Sequence, residues 1–78
     1  MERKFKMFCI KGINECGEVV DDLISLFFEI DGEIVDSCCE DNIGDIMIDS
    51  YNMFNRNCEK YNFDGRRDKL EVNMKYVW

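Results

Sequence analysis

Asp41, Asp45 and Asp49 stand four residues apart. On a helix that interval stacks carboxylates roughly 6 Å from one another along one face. Such a stripe resembles the row of phosphates on a nucleic-acid strand, and like charges so placed disfavour the helix by a few tenths of a kcal/mol per pair. Glu40 precedes the stripe, and a second acidic group, Glu29, Asp31, Glu33 and Asp36, lies just upstream. These eight are the candidate partner-binding residues. They belong to a block from Gly12 to Asn55 that carries twelve carboxylates (Glu15, Glu18, Asp21 and Asp22 with those eight) and no Lys or Arg. A field of one sign costs the compact state some stability and draws positively charged surfaces toward it. The matching surface is a groove lined by Lys and Arg that normally neutralises phosphates.

Other chemistries fit the residues less well. Asp31-x-Glu33-x-x-Asp36 lacks the ligand order and terminal glutamate of a calcium-binding EF-hand loop. Paired carboxylates for glycoside hydrolysis need a cleft that 78 residues can hardly form. The chain has no histidine to activate a cysteine, and it has neither a glycine-rich phosphate loop nor a nucleophile elbow. The five cysteines, Cys9, Cys16, Cys38, Cys39 and Cys58, are odd in number and show no C-x-x-C spacing. They read as reduced thiols that pack like small apolar side chains. The expectation is a protein that is not an enzyme and uses no cofactor or metal.

A single small domain must position the acids. With 46% apolar residues and well-represented aromatics, the chain is expected to fold around one modest core despite its formal charge of −7. Residues 4–11 alternate as a strand. The stretch 18–30 supports two readings. Its apolar residues fall on one helical arc, yet Leu26 to Ile30, Asp31-Gly32 and Glu33 to Val35 spell a β-hairpin with a type I′ turn. The hairpin, with strands near 24–30 and 33–37, is preferred; a helix over 18–30 remains the alternative and would give a β-α-β-α-β order.

Ser37-Cys38-Cys39-Glu40 has the form of a capping box, which starts a long amphipathic helix over about 38–61. Asn42 is a second candidate cap. The helix would bury Ile43, Ile46, Met47, Tyr51, Phe54, Cys58 and Tyr61. Alternation over 69–78 predicts a last strand ending on Trp78. The fold class expected is therefore α+β, a small antiparallel sheet packed on one long helix.

The cations gather at the two ends of the sequence, as Arg3, Lys4, Lys6 and Lys11, and as Arg66, Arg67 and Lys69. Net charge opposes direct nucleic-acid binding through them. Pro, His, Ala, Thr and Gln are absent, a composition that looks like translation of an AT-rich gene. The apolar run Met7 to Ile10 is too short for a signal sequence, so the cytoplasm of a bacterial host is expected, with no membrane partner.

No residue motif identifies a family. In size, charge and lack of catalytic groups the chain resembles the small proteins by which phages and mobile elements block host nucleases, anti-CRISPR and anti-restriction proteins among them. The resemblance implies a protein-binding inhibitor that lays a DNA-mimic-like acidic surface over the basic channel of a nuclease or CRISPR effector. The alternative is a small structural or regulatory adaptor acting as a homodimer, joined through the outer side of the first strand, where Phe8 and Ile10 lie, or through an aromatic patch near Trp78.

Overall fold

A computed structural model describes residues 2–74. Four strands and one helix follow in the order β1 (Lys4–Ile13), β2 (Val19–Ile30), β3 (Glu33–Glu40), α1 (Ile43–Lys60) and β4 (Lys69–Asn73). They form an α+β fold with one sheet ordered β3-β2-β1-β4. The expected antiparallel sheet is corrected to a mixed one. β1 pairs with β2, and β2 with β3, in antiparallel fashion, but β4 runs parallel to β1, from Lys4 opposite Lys69 to Phe8 opposite Asn73.

The hairpin reading of 18–30 holds and the helical alternative falls. Ile30 pairs with Glu33 across Asp31-Gly32, whose φ angles of 52° and 86° are the paired positive values that a type I′ turn needs. β2 escaped a clean alternation because both its faces are covered. Ile24, Leu26 and Phe28 point into the core, while Ser25 and Phe27 are buried on the opposite face. There Phe27 stacks on Phe8 with ring centroids 5.3 Å apart. The end of the β1–β2 hairpin folds back over the same face, and the Ser25 hydroxyl donates to the Ile13 carbonyl at 2.5 Å.

The capping-box expectation at Ser37 is overturned. β3 continues through Cys38 and Cys39 to Glu40, paired with Leu26, Ser25 and Ile24 of β2, so ladder hydrogen bonds replace a helical start. Asn42 takes the cap instead, its Oδ1 accepting from the Asp45 N–H at 3.2 Å. The helix thus begins at Ile43 rather than 38. It ends at an Asn62 with φ 54°, where Phe63 N–H reaches the Cys58 carbonyl at 2.9 Å.

Phe5, Met7, Cys9, Ile24, Leu26, Phe28, Ile46, Met53 and Met74 make the core. Phe5 holds it by edge-to-face contacts with Phe28 and Phe63, centroids 6.0 and 5.1 Å apart. α1 packs on β2 and β3. Its buried line is Ile46, Ser50, Met53 and Asn57; of the apolar arc expected from periodicity, Ile46 is fully buried and Phe54, Cys58 and Tyr61 partly so. Ile43, Met47 and Tyr51 remain exposed, the last two on the flank facing Leu70 and Val72 of β4. Ser50 and Asn57 tolerate burial because each bonds back to its own helix, to the carbonyls of Met47 and Met53.

A carboxylate clasp ties the first residues to the segment before β4. Asp68, with its side chain fully buried, accepts from the guanidinium groups of Arg3 and Arg67, each at 3.0 Å, and from the backbone N–H groups of Arg3 and Asp64. These bonds hold its carboxyl well below the usual carboxylate range. The proposed last strand beyond Met74, with Trp78, lies outside the described residues.

Candidate acidic interface

β3 and α1 are joined by two residues, and that junction gathers the carboxylates. Glu40 ends β3, Asp41 follows it, Asp45 sits in the first helical turn and Asp49 in the next. Asp41 precedes the cap, so only Asp45 and Asp49 form the helical stripe that the spacing predicted. Asp45 gains from the helix dipole, whereas Asp49 lies beyond its reach. The three aspartates nevertheless act on Glu40. A hydrogen bond shared with Asp49, partial burial, and the charges of Asp49, Asp45 and Asp41 together push the Glu40 carboxyl up.

The end of the β1–β2 hairpin sets a further acid, Glu15, whose place sequence reasoning missed, against the other face of β3. Its carboxylate accepts from the Ser37 hydroxyl at 2.8 Å. It also bonds to Cys39, whose thiol is pushed up first by burial and then by Glu15. Cys38, on the helix side of β3, lies 3.6 Å from Asp49, and burial followed by that carboxylate pushes its thiol up to about 12. Both thiols stay protonated at neutral pH and are poor nucleophiles. No sequence signal could have placed these cysteines among the acids, since the capping-box reading put them in a helix.

The other four candidates lie elsewhere. Glu33 begins β3, seven residues from Glu40, which in a strand is roughly 23 Å. Asp31 accepts from the Lys4 N–H at 2.9 Å, and with Glu29 it lines a depression shared with Lys4, Lys6 and Lys69. Asp36 faces α1, where its Oδ2 accepts from Arg56 at 2.6 Å and from Asn57 at 2.8 Å. Burial alone would raise the Asp36 carboxyl; the bonds from Asn57 and Arg56 outweigh it and hold the carboxyl below its ordinary value. Glu29, Asp31 and Glu33 thus lie at the lysine-bearing end of the sheet, Asp36 is engaged in the fold, and one compact acidic surface remains at the β3–α1 junction.

Among the described residues, no group of three or more Cys, Asp or Glu side chains is arranged to hold a metal ion, and no helix is long and apolar enough to cross a membrane. Comparison with known proteins finds no matching family model, no similar curated protein and no similar solved structure.

Proposed function

We propose that the chain is a non-enzymatic protein-binding inhibitor of a nucleic-acid-processing enzyme, of the anti-CRISPR or anti-restriction type, and that the β3–α1 junction is its binding surface. The observation that carries this reading is the crowding of Asp41, Asp45 and Asp49 about Glu40, in a block of sequence without cations. Crowded carboxylates are an energetic burden on the free protein. A groove rich in Lys and Arg relieves it, and the acids take phosphate positions there, with release of the groove's bound anions. Association is then fast and weakened by salt.

The test is capture of partners from cells that express nucleases and CRISPR effectors, followed by elution in a salt gradient and an inhibition assay on the enzyme recovered. Asp41→Asn/Asp45→Asn/Asp49→Asn should abolish inhibition with the fold intact by circular dichroism. Glu29→Gln/Glu33→Gln, beside the β2–β3 turn at the opposite end of the sheet, should inhibit like the parent. Equal potency of the triple variant and the parent would reject the junction as the binding surface.

A further inference from the structure

β4 is the outermost strand of the sheet, and among the described residues no strand lies on its far side. Because α1 covers β2 and β3, the inner face over β1 and β4 is left as an apolar groove of about 400 Å³. Met7, Leu70 and Val72 form its floor, and Met47, Tyr51 and Phe54 its wall. Tyr51 is 70% exposed and Leu70 37%. An open strand edge beside an exposed apolar trough is a template for another strand.

From the charges on that edge we infer that the occupant is a second copy of this chain, joined β4 to β4 in antiparallel register centred on Leu70. In that register Leu70 meets Leu70 on the groove side. On the opposite face Lys69 meets the second copy's Glu71, and Glu71 meets its Lys69. The edge is therefore self-complementary, as a twofold interface requires. Lys69 is exposed, and Glu71 makes only a loose 3.5 Å pair with Lys6, its side chain 69% exposed. The twofold axis stands perpendicular to the sheet, so both helices lie on the same side. The two grooves then merge into one trough, walled on each side by Met47 and Tyr51. Opposite charges directly across an antiparallel pair stabilise it, and like charges there destabilise it. The acidic junctions at β3 end up on the outer edges of an eight-stranded sheet, so the inference stands apart from the inhibitor reading.

Sedimentation velocity of the full chain over a concentration series tests it. The parent should dimerise. Lys69→Glu sets carboxylate against carboxylate at both cross-strand pairs, and Glu71→Lys sets ammonium against ammonium. Each should weaken self-association about tenfold or more, equivalent to about 1.4 kcal/mol. An equimolar mixture of the two variants should form a heterodimer, because each then opposes the other's charges. Leu70→Lys, with its fold checked by circular dichroism, should be monomeric. A parent that stays monomeric up to about 1 mM, a concentration equivalent to roughly 4 kcal/mol of binding, overturns the inference. So does a dimer indifferent to all three substitutions, or a mixture that fails to pair.

Discussion

Asp36→Ala separates a structural carboxylate from the ones proposed to bind. In the fold Asn57, only 2% exposed, directs one Nδ2 hydrogen to the Met53 carbonyl and the other to Asp36, each at 2.8 Å. Removing the carboxylate orphans a buried N–H, which costs about 1–3 kcal/mol. It also frees Arg56, but that guanidinium is more than half exposed, so the pair adds only about 0.2–1 kcal/mol. Together these come to about 1–4 kcal/mol. At about 4–8 °C per kcal/mol for a domain of this size, the melting temperature should fall by roughly 4–32 °C. Urea unfolding followed by far-ultraviolet circular dichroism measures the free-energy loss. Arg56→Ala should cost only the smaller term, and Asp36→Ala/Asn57→Leu should recover most of the loss, because it removes both polar partners together. An Asp36→Ala variant within about 0.5 kcal/mol of the parent, the range of an ordinary surface change, would refute a structural role for this carboxylate, as would an Arg56→Ala variant equally destabilised.

Asn42→Ala should cost about 1 kcal/mol by removing the helix cap, while Ser37→Ala should stay within about 0.5 kcal/mol, as urea midpoints will show. Ile46→Ala, fully buried between α1 and the sheet, should cost about 2–5 kcal/mol in the same assay. Asp68 and Glu40 should bend the pH dependence of stability in opposite directions. Asp68 ionises more readily in the folded state, so its contribution is present above an unfolded carboxylate pKa of about 3.9 and is lost as pH falls below it. Glu40 ionises less readily when folded, so its charge opposes folding at neutral pH, and Glu40→Gln should raise the urea midpoint at pH 7 with no gain at low pH.

The hairpin was legible because Asp31-Gly32 acts locally: two residues that accept positive φ fix the turn wherever the strands lie. Most of α1 was legible for a similar reason. Its first turn was not, because Cys38 and Cys39 gain a ladder partner in β2 that no sequence window contains, and that ladder prevails over a local cap. Strand direction was hidden as well, since β4 shows the same alternation whether it runs parallel or antiparallel to β1. The buried face of α1 shifted toward Ser50 and Asn57 because the helix sits over β2 and β3 instead of the middle of the sheet. Of the acids, Glu40, Asp41, Asp45 and Asp49 stayed together at the β3–α1 junction and Glu29, Asp31 and Glu33 beside the β2–β3 turn, but the two groups lie at opposite ends of β3. Asp36 found Arg56, and Asp31 found the backbone of Lys4, both through tertiary pairing.

The parallel partnership of β1 and β4 also bears on kinetics. Lys4 meets Lys69 across 65 positions, whereas the two hairpins close over short loops. Long closures of this kind are slow to form and are rewarded last, after the local pairings have organised the chain. The transition state for folding should therefore hold β1, β2 and β3 with β4 still detached. Substitutions at Leu70 and Val72 would then have φ-values near zero, accelerating unfolding while leaving the folding limb of the chevron almost unmoved. The edge that ends the sheet is thus the place where the native state first comes apart.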